Sequence, residues 1–215
     1  NHLQNLLQSI ARQGIPVELE IRTGNMSRQL TQALNDHEAA AVFVGIREGR
    51  IFEDIFIGAN TLQLRKSSEI PVVIVDSLPS ETAIEAVMSP FDPSTGIDGL
   101  LEFMASSPQT LAKSVMLVVG LGLDDNEEKV MAQANAVADK LEALGFLRID
   151  IQLVRHENPF TGMLEEMKHQ SDGYDLVLLE QPDLAAKGQF TLGSFVEEVV
   201  TKGRMPVVCL PVRRN

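Results

Sequence analysis

Two glycine-led turns are the residues of this chain best suited to bind an anion. Gly58-Ala59 and Gly193-Ser194 each stand thirteen positions before the proline of a Pro-Val-Val run. A glycine lets backbone N–H groups approach a phosphate oxygen, and a helix that starts there adds the positive end of its dipole. The spacing predicts two candidate phosphate-binding turns. The alternative is that both turns are ordinary entries to helices.

The equal spacing indicates an internal repeat, which extends upstream of the glycines. Residues 14–21 correspond to residues 145–151, and residues 41–45 correspond to residues 175–180. All four stretches are short apolar runs with helical segments between them, as expected for buried parallel strands. The repeat therefore predicts an α/β fold in which each copy supplies parallel strands.

The second copy has more sequence in front of these runs than the first. A strand over residues 83–88, a helix that begins at 92–94 and a strand over 114–119 have no counterpart before residue 1. We therefore predict a partial domain at 1–78 that contributes three strands. Residues 83–215 should form a complete domain, a five-stranded parallel sheet with helices on both faces.

Two helices show an apolar stripe, which predicts that they pack on the core. Asn126 is placed to cap the start of the second-copy helix, and Gly145 and Gly14 are placed to end the two helices. The stripes consist of Val130, Ala134, Val137, Leu141 and Leu144 in the second copy, and of Leu3, Leu6, Leu7 and Ile10 in the first.

Composition excludes several classes of function. The net charge of −12 argues against nucleic acid, because phosphate backbones require concentrated Lys and Arg. No apolar run approaches the roughly 20 residues that cross a bilayer. The single cysteine, Cys209, lies in an apolar run and is predicted to be a buried, inert thiol. The four histidines lack the spacing of metal ligands, so we expect surface or capping roles for them.

The order of a strand ending in Gly, a glycine turn, a helix and a Pro-Val-Val strand resembles the universal stress protein (Usp) family over nearly the whole chain. The resemblance implies tandem Usp-like domains, with open parallel sheets of the adenine nucleotide alpha hydrolase-like type flanked by helices and an incomplete first copy. In nucleotide-binding members, Gly, two residues, Gly, nine residues and Gly with a small hydroxyl residue follow the fourth strand. By this likeness the cofactor-binding residues are Gly45, Gly49 and Gly58 in the first copy, and Gly193 and Ser194 in the second.

The chain departs from the family motif in both copies. Ala59 replaces the hydroxyl residue of the first, and Glu180 and Asp183 replace two glycines of the second. Carboxylates in a phosphate cradle repel the ligand. We therefore expect no cofactor, with ATP as a weak alternative. We also expect no metal, no catalytic residues and no enzymatic activity, since no complete catalytic motif is present.

Three functions follow from the resemblance. The first is a non-catalytic regulatory and dimerisation module, the cytosolic regulatory domain of a membrane cation transporter such as a cation–proton antiporter or cation–chloride cotransporter. The alternatives are a free-standing tandem stress protein in the cytoplasm and an ATP-binding Usp member. In the family the terminal strand edge commonly mediates dimers, so we expect residues 72–75 and 207–210 to meet, within one chain or between two chains, with a two-fold homodimer as the favoured state.

Overall fold

The computed structural model describes residues 2–45, 70–75, 84–91, 97–106, 113–180, 199 and 205–210. Seven strands in these ranges form one sheet in the order β1-β2-β7-β6-β3-β4-β5. The strands are β1 (Val42–Gly45), β2 (Val72–Val75), β3 (Ala86–Phe91), β4 (Ser114–Leu121), β5 (Arg148–Arg155), β6 (Leu176–Glu180) and β7 (Val207–Leu210). The helices are α1 (His2–Arg12), α2 (Met26–Asp36), α3 (Asp98–Ser106), α4 (Glu127–Ala143) and α5 (Pro159–His169), with a 3₁₀ turn at Ser171–Gly173.

The second copy has the predicted architecture. Its strands β3 to β7 pair only in parallel with one another, in the order β7-β6-β3-β4-β5. Parallel neighbours require crossover connections, and α3, α4 and α5 supply those that link β3, β4, β5 and β6 in turn. The described residues of the second copy therefore confirm the predicted five-stranded parallel sheet.

Both faces of this sheet are buried, as near-continuous apolar strands require. On one face α3 and α4 pack through the side chains of Leu100, Met104, Val130, Ala134, Val137 and Leu141. On the other face α5 packs through Met163, Leu164 and Met167. Cys209 lies in the second of these cores with 1% of its surface exposed, which confirms that the thiol is buried.

The helix boundaries follow local chemistry. The side chain of Asn126 accepts a hydrogen bond from the Lys129 N–H at the start of α4, as the sequence predicts. Gly145 and Gly14, which follow α4 and α1, have φ angles of +97° and +79°. Glycine adopts this left-handed conformation at little cost, and so ends a helix cleanly.

The first copy contributes two strands in the described residues, β1 and β2, where three were predicted. The prediction of a strand within residues 14–21 is wrong, because those residues have no regular secondary structure. In the second copy the corresponding strand, β5, is held by β4 along its whole length. The described part of the first copy offers no strand at that place, so the segment lacks a ladder to join.

The two Pro-Val-Val strands pair with each other. β2 and β7 run antiparallel, with Val73 opposite Val208, Val72 opposite Cys209 and Ile74 opposite Val207. The other strand pairs in the described ranges are parallel. Because β2 belongs to the first copy and β7 to the second, this contact is the junction between the two copies. The expectation that the two terminal strands meet is confirmed within one chain.

Candidate functional site

The strand order defines a crevice at the carboxyl ends of β3 and β6. The chain leaves β3 toward β4 on one side, whereas β6 lies on the other side, and ligands of open α/β sheets bind at such a switch point. β3 and β6 pair only at Val87 with Leu176 and Met88 with Val177. Pro90, which has no N–H to donate, lies beyond the last pair. The pairing of β3 with β6 therefore stops before the carboxyl ends of the two strands.

Glu180, the last residue of β6, fills this position with a carboxylate. One carboxylate oxygen accepts a hydrogen bond from the Gly99 N–H at 2.9 Å, and the other accepts from the Leu100 N–H at 3.2 Å. Both amides belong to the first turn of α3, where N–H groups have no partner within the helix. Glu180 thus caps a helix that begins 82 positions before it (180 − 98), and its charge complements the helix dipole.

Two opposing influences act on the charge of Glu180. Burial raises the pKa of this carboxyl above its ordinary value, and the nearby negative charge of Asp98 raises the pKa further. The hydrogen bonds from Leu100 and Gly99 lower the pKa, because they favour the ionised form, but the net shift is upward. The candidate site therefore holds a partly desolvated carboxylate of its own, which opposes a second anion.

The loop after β4 lies at the carboxyl edge of the sheet, and the guanidinium of Arg155 holds it in place. Nη1 of Arg155, at the end of β5, donates to the backbone oxygens of Gly122 and Leu123, each at 3.1 Å. Nη2 pairs with Glu127 at 3.0 Å. The Gly122 N–H in turn donates to the carboxylate of Asp125 at 2.7 Å. These contacts use the polar groups of the loop internally.

The turn after β5 is organised in the same way. The Asn158 N–H donates to Nδ1 of His156 at 2.9 Å, and the Asn158 side chain accepts from the Phe160 and Thr161 N–H groups. Gly162 fits closely here, because a Cβ at this position would lie 2.6 Å from Cβ of His156. His156 is therefore a turn residue, and His37 caps the end of α2. Both agree with the capping roles predicted from sequence.

The structure places one of the predicted cofactor-binding residues. Gly45 ends β1, opposite Val75 of β2, at the position in the first copy that Glu180 occupies in the second. Gly49, Gly58, Gly193 and Ser194 lie outside the described residues, as does Asp183. Their assignment stays a prediction.

Sequence reasoning identified Glu180 as an obstacle to phosphate but missed its partners on α3. The signal that could have found them is the strand order expected for a switch-point sheet, since it puts the end of β6 beside the helix that follows β3. Asp175 was also missed. Its side chain accepts hydrogen bonds from the Glu85 and Ala86 N–H groups at 2.9 and 3.0 Å, and so joins the start of β3 to β6.

Two absences hold for the part of the chain that the structure describes. Its His, Cys, Asp and Glu side chains form no group of three that could hold a metal ion. No helix in these ranges combines the length and the apolar character needed to span a membrane.

Comparisons of the whole fold identify its class. The chain resembles the crystal structure of a universal stress protein from Archaeoglobus fulgidus, with a TM-score of 0.67 and 17% identity over 97% of this chain and 74% of that one. A functionally unknown protein from Pseudomonas aeruginosa matches with a TM-score of 0.62 and 10% identity, over 98% of this chain and 76% of that one. A putative universal stress protein from Pseudomonas aeruginosa gives 0.61 and 11% identity, over 98% and 77%. No protein-family model and no curated protein matches the sequence. The protein therefore has the Usp-like α/β fold.

Proposed function

We propose that this chain is a non-catalytic regulatory module of the Usp family, acting on the cytosolic side as part of a membrane cation transporter. The single observation that supports a non-catalytic role is the position of Glu180. Its carboxylate is hydrogen-bonded to the α3 amides in the crevice where folds of this type bind ligands. Because the Glu180 carboxylate already occupies this position, the site is poorly suited to bind and release a nucleotide. It is better suited to a structural role in contacts between domains.

The link to a transporter rests on the sequence resemblance to tandem regulatory tails with eroded nucleotide loops. The junction between the copies supports this role in mechanical terms. Because β2 and β7 join both copies into one sheet, a force on either copy is carried through a continuous hydrogen-bonded ladder. A homodimer remains part of the proposal, but a second copy would have to bind another surface, since these two edges pair with each other.

A free-standing tandem stress protein is the second candidate. It is favoured by the similar crystal structures from Archaeoglobus fulgidus and Pseudomonas aeruginosa, which are described as universal stress proteins. The reading frame on the 5′ side of the Asn1 codon tests the choice. Several apolar segments of about 20 residues there would support the transporter module, whereas a start codon after one further strand–helix unit would overturn it.

Nucleotide titration tests the non-catalytic role directly. Calorimetry with ATP and magnesium should show no binding tighter than about millimolar, because the Glu180 carboxylate opposes the phosphates. The matched control is Glu180→Gln, which removes the charge and keeps the shape of the side chain. Micromolar binding or ATP hydrolysis by the unmodified protein would contradict the proposal and favour the ATP-binding alternative.

A further inference from the structure

The ring of His156 acts as a hydrogen-bond acceptor in the turn between β5 and α5. Its Nδ1 accepts from the Asn158 N–H at 2.9 Å. Asn158 is the N-cap residue of α5, and the N–H of such a residue has no partner within the helix. In a capping box, a Glu or Gln at the third helical position accepts from this N–H, but α5 has Thr161 there. His156 therefore supplies the acceptor that the helix itself lacks.

Only the neutral ring can make this hydrogen bond. A neutral imidazole has one nitrogen that accepts and one that carries a proton, whereas both nitrogens of the cation are donors. The backbone N–H of Asn158 is always a donor, so the lone pair of Nδ1 must be free in this turn. Protonation of Nδ1 removes the hydrogen bond and sets two N–H groups against each other. Histidine side chains ordinarily change charge between pH 5 and 8.

The side chain of His156 has little room to turn away. The His156 N–H donates to the Leu121 oxygen at 2.9 Å, which fixes the backbone beside β4. α5 lies directly against the side chain, since a Cβ built on Gly162 would be 2.6 Å from Cβ and 3.2 Å from Cγ of His156. Met163, the next residue of α5, is buried in the core. We therefore expect protonation to open the turn rather than to displace α5.

The charged groups on the elements around His156 make no ion pair with its ring in the described residues. Arg155 pairs with Glu127 at the start of α4. Asp125 accepts from a backbone N–H of its own loop, and Glu166 of α5 accepts from a side chain one turn later. The other charged groups beside the turn are exposed, namely Glu157, Asp124 and Glu165. The N–H of the cap residue is therefore the polar partner that distinguishes the neutral ring from the charged one.

The first copy has the same kind of cap without the histidine. Asn25 is the N-cap residue of α2, and its side chain accepts from the Arg28 N–H at 3.0 Å. Thr23 stands two residues before Asn25, where the second copy has His156. Threonine does not change charge with pH. The two turns therefore share a cap and differ in their response to protons.

We propose that His156 makes the start of α5 a pH-sensitive turn, which is closed when the ring is neutral and open when the ring is protonated. The turn keeps its hydrogen bond at pH values above the titration of the ring and loses it as pH falls through that range. Opening exposes the N–H groups of Phe160 and Thr161, which the Asn158 side chain caps in the closed turn. Because the turn follows β5 at the carboxyl edge of the sheet, acid loosens the edge that holds the candidate site.

Amide hydrogen exchange, measured for single residues by NMR, tests this turn. Protection factors, which remove the intrinsic effect of pH on exchange, should fall at Asn158, Phe160 and Thr161 by about fivefold between pH 8 and pH 5, as expected for one lost hydrogen bond. The fall should follow the titration of the His156 ring, observed through its carbon-bound protons in the same samples. The Arg28 amide at the start of α2 is the internal reference and should not change.

Two variants separate the ring nitrogen from other effects of pH. His156→Asn keeps an acceptor two residues before the cap, as in an Asx turn, and does not titrate. Its protection factors should stay high at both pH values. His156→Phe keeps an aromatic ring without an acceptor, so its protection factors should be low at both pH values. If His156→Phe fails to fold, the comparison of the unmodified protein with His156→Asn still decides the question.

Three outcomes would overturn the proposal. The first is constant protection of the turn from pH 8 to pH 5 in the unmodified protein. The second is an equal fall in His156→Asn, which would assign the effect to another titrating group. The third is a fall of the same size at the Arg28 amide, which would show a general loss of stability in acid.

Discussion

β5 and residues 15–21 carry the same alternating chemistry and have different structures. β5 is paired with β4 from Arg148 to Arg155, and Ile149, Ile151 and Leu153 pack against the core. Residues 15–21 are irregular, and their apolar side chains are exposed. The difference lies in the neighbouring strand, which is present beside β5 and absent from the described residues beside its counterpart. Alternation thus specifies which face a strand will bury, and the partner decides whether the strand forms.

The largest loss of unfolding free energy is expected for a substitution at the junction between the two copies. Val208 is 5% exposed and lies opposite Val73, so Val208→Lys buries a charge without a partner. We expect the free energy of unfolding to fall by about 4 kcal/mol or more, which urea denaturation will measure. Phe43→Lys is the matched control on the exposed face of β1, where a change within about 0.5 kcal/mol is expected. Equal effects of the two lysines would show that the junction is not part of the core.

Much of the fold could be predicted because the separate sequence patterns of the second copy all indicate the same structure. Its apolar runs, its Asn caps and its helix-ending Gly145 all agree with one sheet. The missing third strand of the first copy could not be predicted, since strand formation depends on pairing that is distant in sequence. For the same reason the sequence flagged Glu180 by its charge but could not show that Gly99 and Leu100 hold it.

Matched substitutions in β5 and in its counterpart, residues 15–21, should lower the free energy of unfolding by unequal amounts. Ile151→Ala removes methyl and methylene groups from a side chain packed against the core, and should cost about 1 to 2.5 kcal/mol of unfolding free energy. Leu19→Ala should change the free energy by no more than about 0.5 kcal/mol, because Leu19 is 46% exposed. Urea denaturation of both variants checks the difference. A large effect of Leu19→Ala would mean that residues 15–21 are buried in solution.

Helix caps give a smaller contrast. Asn158 and Asn25 hold equivalent places, because Asn158 follows β5 and Asn25 follows residues 15–21, the counterpart of β5. The Asn158 side chain accepts from the Phe160 and Thr161 N–H groups, and that of Asn25 accepts from the Arg28 N–H. Asn158→Ala should lower the free energy of unfolding by about 1 kcal/mol. Asn25→Ala should instead speed hydrogen exchange within α2 and leave the global value nearly unchanged, because Leu30 and Leu34 of α2 pack on a small cluster, Val42 and Val44, and we expect this part to open locally. The reverse pattern would place the less stable region in the second copy.

The smallest expected effect is the pH dependence that arises from Glu180. Burial holds its pKa above the ordinary glutamate value of 4.5, so the folded state binds this proton more tightly than the unfolded chain does. The stability that comes from protonation is fully present below pH 4.5 and is lost as pH rises through the raised pKa. Glu180→Gln carries no charge at any pH. The free energy of unfolding of the unmodified protein should therefore fall relative to Glu180→Gln as pH rises above 4.5, and below that pH the difference should be constant. Denaturation curves at several pH values measure it, and a difference that grows in favour of the unmodified protein would show that the α3 amides outweigh burial in setting the charge of the site.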